Sequence, residues 1–150
     1  MAKIAILLDT DFEQVDIPKP MNSLKLKSHS NHVNHHTTPI KQVRGLNHTD
    51  PADTFADLLI GEANAADYDA IVLPGGGANA DVLRANTDAQ AMVKAFMNVG
   101  KPVAAICHAP WILHTEIARG KKLTAYKTIT ATDLKNAGAQ FEDKSSGDRW

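Results

Sequence analysis

Cys107 is the single cysteine of this 150-residue chain, and it stands where a short apolar run, Pro102-Val103-Ala104-Ala105-Ile106, gives way to His108-Ala109-Pro110. A thiol on a strand-to-helix turn lies near the unpaired N–H groups of the first helical turn, which favour thiolate over thiol. Such a setting can lower the ordinary cysteine pKa of about 8.5 by one to several units. A buried structural cysteine is the competing reading, because free Cys is among the most buried residue types. The elbow position favours a nucleophile. Two other loops carry functional groups that such a thiol could use: Asp9-Thr10-Asp11-Phe12-Glu13 and Pro74-Gly75-Gly76-Gly77. A carboxyl, a glycine loop with bare N–H groups and a thiol are the parts of acyl- or carbonyl-addition chemistry.

Each of the accompanying residues also has a plainer reading. Glu13 reaches the sulfur only if its loop folds back over the strand ends; otherwise it is a solvated glutamate before Pro18 and Pro20. Gly75 and Gly76 let backbone approach an oxyanion because no Cβ blocks it, although a plain turn explains three glycines equally well. His108 comes directly after the thiol, and neighbours on a helix point about 100° apart, so it need not touch the sulfur. His114-Thr115-Glu116 imitates a His-x-Glu pair but begins roughly 10 Å further along the same helix, which makes it a surface feature. His29, His32, His35 and His36 cluster without zinc-type spacing, so no metal site and no cofactor are expected.

The elements that must position these groups are legible from hydrophobic pattern. Residues 3 to 8, 69 to 73 and 102 to 106 are continuous apolar runs of strand length, as expected of strands covered on both faces. Between the last two, Thr87-Asp88-Ala89-Gln90 has capping-box spacing, Ala89, Met92, Val93, Phe96 and Met97 share one helical face, and Gly100 and Pro102 end the helix. Strand, helix and strand in that order predict a parallel βαβ unit. Further on, residues 122 to 126 read as a strand, 132 to 138 as a short helix closed by Gly138, and 139 to 142 as the start of another strand. The alternation predicts a doubly wound α/β sheet, whose ligand crevice lies beyond the carboxyl ends of the strands. Residues 22 to 40 break the pattern: His, Asn and Ser crowd around Leu24, Leu26, Val33 and Ile40, and neither a helix nor a strand is expected there.

The length and the 43% apolar content suit one cooperative domain over residues 1 to 150. With 16 basic and 17 acidic residues the formal net charge is −1, and no basic run interleaves with aromatics, so nucleic acid is not expected as a partner. A lone cysteine and an N-terminus without a signal-type apolar region point to a reducing, cytoplasmic location. No apolar run approaches the roughly 20 residues that span a bilayer, which argues against membrane insertion.

The chain resembles the DJ-1/PfpI superfamily. The matching pieces are Lys3 to Leu8 followed by Asp11-Phe12-Glu13, Leu46-Asn47-His48-Thr49-Asp50, Asp67 to Gly76, Gly100 to Trp111, and Thr132 to Ala139. The Cys107-His108 pair resembles the PfpI-like branch. The resemblance implies a flavodoxin-like, mostly parallel sheet flanked by helices, of the kind shared with class I glutamine amidotransferases. It implies Cys107 as nucleophile, Glu13 as a protonated carboxyl bonded to its sulfur, and the backbone N–H groups of Gly76 and His108 as oxyanion donors. In peptidase-like members the histidine acts as base and is oriented by an acid from a neighbouring subunit; Asp81 falls nearest that position. A homo-oligomer, dimer or hexamer, is therefore implied.

Members of the superfamily are described as peptidases, as glutathione-independent glyoxalases or as deglycases. The small-carbonyl reading is preferred because nothing in the chain supplies an extended peptide cleft. An intracellular cysteine peptidase and a non-enzymatic redox or stress sensor, in which Cys107 oxidises beside Glu13, are the alternatives. A glutamine amidotransferase domain would need a His-x-Glu pair from a distant loop, and none occurs after residue 116. Two stretches differ from the family pattern. Residues 22 to 40 keep the length but change the residue alphabet, as a compensated pair of indels would leave, and beyond Asp143, where the family adds further strand and a helix, the chain has only a polar tail, residues 144 to 150.

Overall fold

The computed structural model describes residues 2–13, 30–34, 42–47, 50–55, 57–114, 116–126 and 129–143. Its main sheet is built around β1 (Ile4–Leu8), all five residues of which are buried. Successive side chains of a strand face opposite sides. Ala5 and Leu7 accordingly join one apolar cluster, with Ile71, Leu73, Val93, Phe96 and Ile112, while Ile4, Ile6 and Leu8 join a second with Phe12 and Val72. The unbroken apolar run is what a strand buried on both faces requires.

On one side β1 pairs in parallel with β7 (Ala70–Leu73), which pairs in parallel with β8 (Val103–Ala105). On the other side lie β3 (Ser30–Asn34) and β6 (Leu58–Leu59), giving the five-strand order β6-β3-β1-β7-β8. The order runs outward from β1 in both directions, so the loops leaving β1, β7 and β8 emerge at one edge. A three-stranded sheet, β2 (Phe12–Glu13), β4 (Gln42–Asn47) and β5 (Asp50–Phe55), packs beside that edge, with β4 and β5 antiparallel.

Two helices link β7 to β8. The first, α1 (Gly77–Ala85), begins directly after the glycine loop, with Gly76 as its N-cap. The second, α2 (Thr87–Asn98), buries Ala89, Met92, Val93 and Phe96, the face expected from the sequence. Its cap differs from the expected box: Asn86, not Thr87, is the N-cap and accepts from the Ala89 N–H at 2.8 Å. Asn is at least as good a cap as Thr. Gln90 turns its side-chain amide to the Arg84 carbonyl, and Gly100, at φ 69°, closes the helix.

The segment expected to supply neither helix nor strand does supply a strand. Residues Ser30 to Asn34 pair with the whole of β1, from Ser30 opposite Ile4 to Asn34 opposite Leu8. A ladder is made by main-chain N–H and C=O groups that every residue except proline carries in full, so an exposed β1 edge can recruit a polar sequence. Residues 14–29 and 35–41 lie outside the described residues, as do 144–150. Toward the C-terminal side, the expected strand over 122 to 126 is confined to β9 (Lys122–Leu123). The expected short helix begins earlier, as α3 (Ile129–Asn136), with Gly138 at φ 88° beyond it, and β10 (Gln140–Phe141) pairs in parallel with β9. No helix among the described residues is long and apolar enough to cross a membrane.

Candidate active site

Cys107 lies at the carboxyl end of β8 with φ 57°, one of two non-glycine residues among those described with positive φ. Left-handed backbone costs an L-residue roughly 1–2 kcal/mol and persists where the surroundings impose it. The tie on the near side is the Ile106 N–H, which donates to the Leu73 carbonyl at 3.2 Å, and on the far side the Tyr126 N–H donates to the Cys107 carbonyl at 3.3 Å. The thiol is exposed.

Past His108 the chain winds not into the α-helix expected from the sequence but into a six-residue 3-10 helix, Ala109–His114, with a separate turn at Glu116–Ala118. His114 and Glu116 therefore do not share one helix. The His114 ring meets the Trp111 carbonyl at 3.1 Å, and Glu116 lines a groove with Lys94 and Arg119. Trp111 holds the 3-10 helix from both sides: its indole N–H donates to Asp133 of α3 at 2.6 Å, and the Arg84 guanidinium of α1 lies 4.3 Å from the ring centroid.

The structure does bring His108 to the sulfur, a contact the sequence left open. Its Nδ1 lies 3.1 Å from Cys107 Sγ. The helical 100° offset does not apply, because the left-handed Cys107 turns the chain before any helix begins. The His108 ring packs against the exposed Tyr126 ring, centroids 4.9 Å apart. Among the described residues no carboxylate pairs with His108 inside one chain. Asp81, on α1, accepts from Arg84 Nε at 2.8 Å.

The loop after β1 does fold back over the strand ends. The Glu13 N–H donates to the Gly75 carbonyl at 3.1 Å, and Glu13 pairs with Leu46 of β4, which brings its residue beside the glycine loop. Asp11, at φ 60°, makes the reversal, and Arg44 clamps it: Nη2 to Oδ2 is 2.8 Å, Nε meets the other oxygen, and the Asp11 N–H donates to the Arg44 carbonyl. The hydrogen bond from Arg44, helped by its charge, holds the Asp11 carboxyl below its ordinary range, with partial burial opposing. Gly76, at φ 98°, packs so close to this loop that a Cβ would run into the Asp11 carbonyl oxygen and lie 3.0 Å from Phe12 Cα.

The Gly76 N–H and the His108 N–H have no acceptor among the described residues. Sequence reasoning missed the groups that hold this edge. Arg44 is 33 residues from Asp11 and carries no local signal. Asn79, fully buried, bonds both the β1 loop and the glycine loop; an amide in the first turn after a glycine loop was the available cue. Of the four clustered histidines, His29, His35 and His36 lie outside the described residues, and His32 stands in β3 opposite Ile6. Among the described residues no three His, Cys, Asp or Glu side chains group as a metal site.

A sequence model described as the DJ-1/PfpI family matches residues 2–148. Protein/nucleic acid deglycase 2 of Escherichia coli is 37% identical over 95% of this chain and 80% of its own length. General stress protein 18 of Bacillus subtilis is likewise 37% identical, over 95% and 80%. A crystal structure of a two-domain Anabaena variabilis protein with DJ-1/ThiJ/PfpI-like and ferritin-like domains superposes with a TM-score of 0.83 at 31% identity, covering 97% of this chain and 40% of that one. With the family match spanning nearly the whole chain, and with the parallel sheet and the Cys107 elbow in place, this chain belongs to the DJ-1/PfpI family.

Proposed function

We propose that this protein is a cysteine-dependent enzyme of the DJ-1/PfpI type that acts on small reactive carbonyls, or on their adducts with amines and thiols, in protection against carbonyl stress. The observation that carries the reading is the left-handed Cys107, its sulfur against the His108 ring, at the edge where the Gly76 and His108 N–H groups have no acceptor among the described residues. The names of the Escherichia coli and Bacillus subtilis relatives, a deglycase and a stress protein, support it.

The chemistry balances without an external oxidant or reductant. The Cys107 thiolate adds to the aldehyde carbon of a 2-oxoaldehyde, forming a C–S bond, and the carbonyl oxygen becomes an alkoxide held by the Gly76 and His108 N–H groups. The alkoxide takes the Glu13 carboxyl proton to give a hemithioacetal, which leaves Glu13 a carboxylate. The Glu13 carboxylate removes the proton from that carbon and returns it to the adjacent carbon while the hydroxyl proton passes to the adjacent oxygen, so the first carbon is oxidised to a thioester as the second is reduced to an alcohol. Water then cleaves the thioester, releasing a 2-hydroxy acid and the thiolate. His108 serves as the base beside the sulfur. Its orienting acid comes from a second copy of the chain, with Asp81 in that role, so the active species is a homo-oligomer in the cytoplasm. The near-neutral charge favours small-molecule or protein-borne adducts over free nucleic acid, although the name of the Escherichia coli relative includes nucleic acid.

The test compares wild type and Cys107→Ala on methylglyoxal, on glycated N-acetyl-lysine, on glycated nucleotide and on an unfolded protein. Release of 2-hydroxy acid from the first two by wild type alone is the expected result. Cleavage of the unfolded protein without carbonyl turnover would replace this reading with a peptidase.

A further inference from the structure

We infer that Asn79 is a positioning residue that fixes the Gly75–Gly76 peptide plane and thereby aims the Gly76 N–H; this rests on the reading of that N–H as an oxyanion donor.

Asn79 is fully buried in the first turn of α1, and its amide is spent on backbone. Its Nδ2 donates to the Pro74 carbonyl at 2.9 Å and to the Gly75 carbonyl at 3.1 Å, and its Oδ1 accepts the Asp9 N–H at 2.6 Å. One side chain thus ties the loop leaving β1 to the loop leaving β7. Gly75 O receives a second donor, the Glu13 N–H at 3.1 Å. In a planar trans peptide the carbonyl of one residue and the N–H of the next point in opposite directions. Two donors that hold the Gly75 carbonyl on the inner side therefore turn the Gly76 N–H outward, where it has no acceptor among the described residues.

The lock has something to restrain. Gly75 and Gly76 are the residues with the widest backbone freedom, and a side chain at Gly76 is excluded by the Asp11 carbonyl. The donor's direction must therefore be imposed from outside the loop, and the Asn79 amide does so through bonds that the glycines, lacking side chains, cannot make. A side chain that only filled the core would have no need of three backbone bonds on two loops.

Asn79→Asp keeps the shape and the acceptor for the Asp9 N–H but removes both donors to carbonyls; Asn79→Ser leaves one hydroxyl donor in a smaller side chain. With methylglyoxal as probe, kcat should fall about 10- to 100-fold in Asn79→Asp and less in Asn79→Ser, with KM and the rate of Cys107 alkylation by iodoacetamide within about threefold of wild type. If kcat falls only in proportion to the titre of alkylatable thiol, Asn79 is structural and the inference is overturned. If Asn79→Asp does not fold, Asn79→Ser decides by the same split. A crystal structure of either variant should show the Gly75–Gly76 peptide rotated; an unrotated peptide overturns the inference. Should wild type turn over no carbonyl, the proposed function fails, while the peptide orientation still decides the role of Asn79.

Discussion

The Nδ1 of His108 lies 3.1 Å from the Sγ of Cys107 although the two residues are consecutive in the chain. In helical or extended backbone, consecutive side chains diverge. The contact exists because Cys107 holds φ 57° and the next helix starts only at Ala109. Backbone strain at one residue thus creates the pairing of two. Replacing the ring should expose its contribution: His108→Ala is expected to lower kcat by about 100-fold or more, the range of a positioned acid or base. Steady-state assays at saturating carbonyl substrate check this, and a kcat within about threefold of wild type would remove His108 from the mechanism.

The same strain predicts a stability signature. Glycine has no Cβ penalty in left-handed backbone, so Cys107→Gly should be more stable than Cys107→Ala by about 1 kcal/mol. Urea melts of the two variants, both lacking the thiol, give the comparison. Equal midpoints would mean that the elbow relaxes once the cysteine is gone.

The Asp11–Arg44 clamp predicts a pH dependence. The folded-state pKa of Asp11 is lowered, first by the Arg44 hydrogen bond and also by its charge, against opposing desolvation. A lowered carboxyl pKa stabilises above the unfolded value, near 3.8, and that stabilisation is lost as pH falls through the folded value. Asn tolerates left-handed backbone, so Asp11→Asn removes the charge and keeps the turn. Because Arg44 is half exposed, the difference from wild type should be about 1 kcal/mol or less. It should be constant above about pH 5 and shrink below about pH 4, as urea midpoints across that range would show.

Much of this site was legible in the sequence, and what escaped was either long-range or dependent on backbone hand. Residues 4 to 8, 70 to 73 and the face of α2 obey local periods, so their elements could be read directly. Glu13, Gly76 and Cys107 come after strand ends, and a parallel sheet brings such ends together. Arg44 and Asn79 act across 33 and 70 residues, on Asp11 and Asp9, and no local pattern marks such a bond. The strand at Ser30–Asn34 escaped because its main chain, not its side chains, supplies the pairing.

Gly76→Ala tests the close approach of the two loops. At φ 98°, with the Asp11 carbonyl in the path of a Cβ, the variant must move the loop carrying Glu13. A loss of about 1–3 kcal/mol in stability is expected, together with loss of turnover, measurable by urea melt and assay. Unchanged stability would mean that the loops separate easily.

Formation of 2-hydroxy acid from methylglyoxal by wild type and by Cys107→Ala, followed together with mass-spectrometric mapping of the carbonyl adduct, bears most directly on the proposed chemistry. Wild type should give steady product and a transient adduct on Cys107, and Cys107→Ala should give neither. Product formation that survives loss of the thiol would contradict a cysteine-dependent mechanism.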